Sequence, residues 1–276
     1  LEGRGLEDKT RPNALFLSVC DQFNGPVSRE LIEWFDELAV LSGLGNQELR
    51  SMLFDIMDGD MYSDLRKKLL DFIQNLDLGF QSLRLEKAPF DPSIHLEMLP
   101  KQYLERFSME FLKDASMGKL HSRRHVYDDL GEVVGETEFS VRERESAGTN
   151  KMLDITGPIF ATLHKGEVLV IDELDAKLHP LLTLAIVNLF NSKEYNPRNA
   201  QLIFATHDTN LLHYGKFRRD QIYFVEKNRQ EASELYSLVE YRENGEKIRK
   251  DRSFEKDYIQ GRYGAIPYIG EFKSLR

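Results

Sequence analysis

Two short runs of consecutive apolar residues, VLVI at 168–171 and LIFA at 202–205, set the strongest limit on how this chain folds. A strand that is apolar on successive residues is greasy on both faces, so it belongs inside a sheet covered on both sides. Helical spacing brackets the two runs, at Met152 to His164, at Leu181 to Asn191, and in a short segment before a further strand at Gln221 to Val225. Strands alternating with helices require crossover connections, which predicts an α/β fold with a mainly parallel sheet and flanking helices. Ligands of such sheets gather at the carboxyl ends of the strands. Both runs end there in polar clusters, Asp172-Glu173 after the first and Thr206-His207-Asp208 after the second.

The first half reads differently. Ala14 to Val19 is a short strand or the start of a buried helix, and Ser28 is placed to cap a helix carrying Leu31, Phe35, Leu38 and Leu41 on one face. Further helical runs at Gln47 to Met57 and Ser63 to Leu76 make Val27 to Leu78 a helical module with Trp34 in its core. The alternating QSLRLEK that follows fits an exposed strand, and Pro100 suits the start of a helix running to Lys113. From Lys119 the period becomes two around a DLGE turn, a β-hairpin. On its strand His121 and His125 share a face but sit too far apart for a metal site. That face reads as solvated, with Arg123 and Arg124 free to meet an anion. YIQGRYGAIPYIG, dense in Gly, Pro and Tyr, reads as a packed turn with no role for Arg262.

The 276 residues are 41% hydrophobic, enough for a core, and a net charge of −9 argues against a protein that coats polyanions. Cys20 is the single cysteine, which excludes an internal disulfide framework. Apolar runs fall far short of the roughly 18 residues that cross a bilayer, and the expected compartment is the cytoplasm. The opening LEGRGLEDKTRPN reads as a linker or as the cut end of something longer.

An Asp-Glu pair closing a hydrophobic strand suits magnesium and phosphate chemistry, because strand alternation aims one carboxylate at a metal and the next toward an attacking water. The plainer reading is a solvated strand end, with Asp175 at a helix start whose dipole favours it. The surrounding residues favour the first. VLVIDELDAKLHP followed by LIFATHDTNLL resembles the Walker B, D-loop and His-switch series of ABC-type ATPases, a superfamily that includes SMC proteins, and ESAGTNKML resembles their signature motif. With RPNALFLSVCDQFN and YIQGRYGAIP, these segments resemble the stand-alone bacterial AAA-type ATP-binding proteins of ABC-like fold associated with abortive infection and anti-phage defence, from about Arg11 to Pro267.

The resemblance implies an ABC-ATPase-like P-loop NTPase fold using ATP and Mg²⁺. Asp172 would be the magnesium carboxylate, Glu173 the catalytic one, and His207 a contact to the γ-phosphate. Asp175 would belong to the D-loop crossing a dimer interface. Ser146, Ala147, Gly148 and Thr149 would face the nucleotide of the opposite subunit, at a helix start suited to an anion. The implied partition is a linker and remnant lobe at 1–26, a helical insertion with a short strand at 27–118, and the ATPase core at 119–276. The phosphate cradle G-x-x-x-x-G-K-[ST] does not occur in these residues; Gly118-Lys119 and Gly215-Lys216 lack its second glycine and its hydroxyl. The amino-terminal lobe is thus expected to be incomplete here. The chain alone is expected to be inactive as an ATPase and to pair as a homodimer or with a Walker A-bearing subunit, under a defence effector. Nucleic acid stays open and no membrane is involved. Two other readings compete: a metal-dependent nuclease using Asp172, Glu173, Asp175 and Asp208, and a non-catalytic module that docks on a partner ATPase.

Overall fold

The computed structural model describes residues 2–44, 49–59, 62–89, 116–213, 215, 217–243, 246–247 and 252–266. The helix expected from Pro100 to Lys113 lies outside them. The chain divides into two compact units, 1–205 and 206–276.

The first unit is built on a parallel sheet of three strands in the order β1 (Ala39–Ser42), β5 (Val168–Asp172), β6 (Gln201–Phe204). Val170 of β5 lies between Val40 and Ile203 in register. The sheet and its helices bear out the expected mixed α/β class. Its strand membership differs from expectation at β1, where helical spacing had carried one helix through Leu41. Instead α2 (Pro26–Asp36) ends and the chain extends beside β5. Pairing with a buried neighbour outweighs a local helical pattern in a stretch as short as AVLS.

Three other expectations change. Ser28 does not cap α2; it lies inside the helix and is buried, with Gly25 at the cap position. Trp34 is not in a core but 48% exposed, edge-on to Phe35. Ala14 to Val19, expected as a short strand or a helix start, takes the helical form in α1 (Phe16–Gln22). LIFA is not buried on both faces either: Ile203 is 55% exposed on β6.

The core surrounds one long helix, α6 (Ala147–Lys165), reached from the short α5 (Val141–Arg144). Met152, Leu153, Ile155, Ile159 and Phe160 of α6 are buried against Leu53 and Ile56 of α3 (Arg50–Asp58), Leu69 and Phe72 of α4 (Ser63–Asn75), Leu169 and Ile171 of β5, and Ile186 of α7 (Pro180–Asn191). Gly157 marks the closest approach of α3 and α6, since a Cβ there would stand 2.5 Å from the Leu53 amide nitrogen. One turn away Arg50 donates through Nε to Asp154 at 2.6 Å and through Nη2 to the carbonyl and Oδ1 of Asn150. Arg50 and Asp154 are 6% and 8% exposed. Burial pushes the Arg50 pKa down and the Asp154 pKa up, against the mutual attraction that opposes both shifts.

A separate antiparallel sheet joins β2 (Ser82–Pro89), β3 (Ser116–Tyr127) and β4 (Val133–Ser140), with Asp128 Oδ1 accepting from the Leu130 and Glu132 amides in the turn. The expected hairpin is present, but its arginines are not free. Arg123 bonds Glu138 at 3.0 Å and Arg124 bonds the nearly buried Glu145 at 2.6 Å. His121 faces Glu86 at 3.0 Å and His125 faces Glu136 at 3.8 Å.

In the second unit α8 (Asn210–His213) precedes β7 (Tyr223–Lys227) and β8 (Ser233–Ser237), an antiparallel pair. The strand expected at Gln221 to Val225 is therefore β7, paired with β8. Phe224 stacks on Tyr258 of α9 (Phe254–Ile259), and Tyr263 is buried with its hydroxyl donating to Asp257. The GRYG segment is thus the packed turn its composition predicts. No helix among the described residues is long and apolar enough to cross a membrane.

Two substitutions test the α3–α6 contact by chemical denaturation. Gly157→Ala is expected to cost about 1–3 kcal/mol through overpacking on Leu53. Arg50→Met is expected to cost about 3–5 kcal/mol because it strands Asp154 in the core, whereas the Arg50→Met/Asp154→Leu double variant recovers most of that loss.

Candidate functional site

The carboxyl end of β5 runs into a turn whose backbone is tightly determined. Asp172 is exposed at the last strand position, in register with Ser42, and its carbonyl accepts from the Gly43 amide at 2.5 Å. A side chain on Gly43 would collide with the Asp172 and Glu173 carbonyls, so β1 has to be followed by glycine here. Glu173 then takes φ +50° and Lys177 φ +62°, left-handed values that cost non-glycine residues about 1–3 kcal/mol each. Hydrogen bonds close the turn: Leu174 N to Ala205 O at 3.0 Å, Ala176 N to Glu173 O at 3.1 Å, and Leu178 N to Asp175 O at 2.9 Å. Leu174 is fully buried beneath it. His179 caps α7, its Nδ1 accepting from the Leu181 amide at 3.2 Å. Asp172, Glu173 and Asp175 therefore lie along one turn at the ligand-bearing end of the sheet.

The start of α6 faces this turn. Ser146 is the N-cap, its Oγ accepting from the Thr149 amide at 3.1 Å and sharing a 3.0 Å hydrogen bond with the Thr149 hydroxyl. The first amides of a helix have no intrahelical acceptor, which leaves those of Ala147 and Gly148 at the end where an anion is favoured. Ser146 and Ala147 are exposed and Thr149 is buried. A Cβ on Gly148 would stand 2.7 Å from the Lys177 carbonyl. This glycine thus has a packing reason that spacing alone does not reveal.

Lys151 escapes sequence reasoning as well. It is 3% exposed, and its Nζ donates to the carbonyls of Glu173, Leu174 and Ala176 at 3.2, 2.8 and 2.6 Å. The available signal was a lysine followed three residues later by an aspartate, within the apolar run KMLDITGPIF. On the outer side of the turn Lys177 Nζ donates to the Leu44 carbonyl.

His207 falls in the second unit. Beside it Asp208 Oδ1 accepts from the Asn210 amide, and the Asp208 amide donates to Thr206 Oγ1. Asp208 Oδ2 is buried without a hydrogen-bond partner. Gly118-Lys119 lies within β3 and forms no loop. Among the described residues, no group of three or more His, Cys, Asp or Glu is placed to hold a metal. The donors at the β5 turn fit part of a magnesium–nucleotide site: an exposed carboxylate, a second one on a strained residue, and a capped helix start. They do not include a phosphate cradle.

Residues 16–213 match the family model described as 'AAA domain, putative AbiEii toxin, Type IV TA system'. No curated protein matches the chain.

Replacing Glu173 by glycine removes the left-handed strain at some cost in backbone entropy. The variant is expected to gain up to about 1 kcal/mol in denaturant unfolding. Ser146→Ala, which deletes the cap, is expected to lose about 1 kcal/mol in the same measurement.

Proposed function

Because the chain belongs to this AAA domain family, which the match over most of its length shows, we propose that it forms the hydrolytic part of an ABC-type ATPase acting on Mg-ATP at a composite dimer interface. Nucleotide use follows from the family; the residue roles and the dimer are the proposal. One observation supports it above the others. The carboxylates at the end of β5 and the capped start of α6 meet on a single turn, joined by Gly148 and Lys151.

Asp172, exposed at the strand end, would hold the magnesium ion, which when bound neutralises charge on the phosphates. Glu173 orients the attacking water and takes its proton, as a carboxylate one residue further along does best. The Ser146–Thr149 helix start offers its dipole, and the amides of Ala147 and Gly148, to a nucleotide held by the opposite subunit. Asp175 lies in the turn that reaches across the interface, and His207 contacts the γ-phosphate. Turnover further requires a phosphate cradle, a motif that does not occur in these 276 residues. The wider role we propose is control of a defence effector by nucleotide-driven dimerisation in the cytoplasm. The missing cradle equally favours a second reading, in which this surface only docks on a partner ATPase.

In an enzyme completed by a P-loop, Glu173→Gln is expected to lower turnover by about 10²–10⁴-fold while ATP stays bound and dimer accumulates in gel filtration. Unchanged turnover would remove Glu173 from catalysis. Activation of a P-loop subunit by this chain, insensitive to Asp172→Ala and Glu173→Gln, would favour the docking module.

A further inference from the structure

Three backbone carbonyls converging on one point form an electronegative pocket of the kind that ordinarily takes a cation. In the turn after β5 the carbonyls of Glu173, Leu174 and Ala176 converge in this way, and the chain supplies its own cation, the Lys151 ammonium. Its three N–H donors match the three acceptors. Lys151 stands three residues after Gly148, so both occupy one face of α6. That face meets the turn at two places: Gly148 against the Lys177 carbonyl, and Lys151 beneath Glu173 to Ala176. The turn contains two left-handed non-glycine residues, Glu173 and Lys177, a conformation that persists only where surrounding contacts over-determine it. Burial pulls the Lys151 pKa down to about 8, opposed by the nearby Asp175 and Glu173 carboxylates.

We propose that Lys151 is a positioning residue for Glu173: it ties the carboxylate turn to the first turns of α6, so that the pose of Glu173 and the Ser146–Thr149 helix start are set together. The tie rests on geometry; the role it gives Glu173 rests on the ATPase reading above. Lys151 lies five residues beyond Ser146, about 7.5 Å along one rigid helix. A shift of the helix start when an anion binds therefore reaches the three carbonyls directly.

Amide hydrogen exchange on the 276-residue chain tests the tie. In Lys151→Met the amides of Leu174, Ala176 and Leu178 are expected to exchange at least about tenfold faster, with Leu169 and Ile171 of β5 unchanged. Lys151→Gln, which keeps a donor and guards against loss of the fold, should behave in the same way to a lesser degree. Lys151→Arg, with several donors, should keep the turn protected. Turn amides unchanged in the Met and Gln variants would overturn the tie.

The positioning role is tested in the P-loop-completed enzyme. Lys151→Met is expected to lower kcat about 100-fold with KM for Mg-ATP held within about threefold, and Lys151→Arg to restore most of kcat. Faster exchange with an unchanged kcat would overturn that role. A completed wild-type enzyme that does not hydrolyse ATP would overturn the ATPase reading and the role of Glu173 with it, leaving the exchange result to decide the tie.

Discussion

The buried pair of Arg50 and Asp154 fixes where α6 lies, and most of the first unit follows from that. A 19-residue helix enclosed on nearly every side has few ways to specify its rotation and register, because apolar contacts are non-directional. A charge pair at 2.6 Å, with Asn150 taking further donors, is directional, and a mismatched register would bury an uncompensated ion. Gly157 adds the matching steric condition by admitting the α3 backbone at one level of the helix only. With α6 pinned between α3 and β5, its amino terminus comes to the same edge as the carboxyl end of the strand. The carboxylate turn and the anion-suited helix start adjoin because of that alignment.

Much of this was legible in the sequence, for physical reasons that differ by element. VLVI declares itself because consecutive apolar residues with a polar stop have few alternatives to an interior strand, and β5 emerges as such. The helices α3, α4, α6 and α7 are long enough for their period to be read within a residue or a few at most ends. AVLS carries no such signal. Four residues after a helix cannot be told from its continuation until β5 is there to pair with. Trp34 misled for a related reason, since an amphipathic row shows that a face is apolar but not what covers it.

At the site, residue types were legible and constraints were not. Asp172, Glu173, Asp175 and the Ser146 cap follow from motif and spacing, and the structure puts them on one turn and the helix start facing it. The left-handed backbone at Glu173 and Lys177, the glycine requirement at 43 and 148, and the three-carbonyl grip of Lys151 each depend on contacts between segments more than twenty residues apart or on a backbone angle. Pairwise proximity of that kind leaves no period in a single sequence. Strain concentrated beside a carboxylate is a common feature of functional turns, where packing holds a conformation that the local chain would not choose.

Trp34 is the only tryptophan of the chain, and it stands half in water on α2, edge-on to Phe35. Indole emission moves to longer wavelength as water reaches the ring, so the intrinsic fluorescence of the native protein reports on the surface of one peripheral helix. It is silent about the carboxylate turn, which contains no tryptophan. When this chain assembles with itself, a blue shift therefore reports that water has left the Trp34 ring on α2. The chain carries its own optical label for that surface.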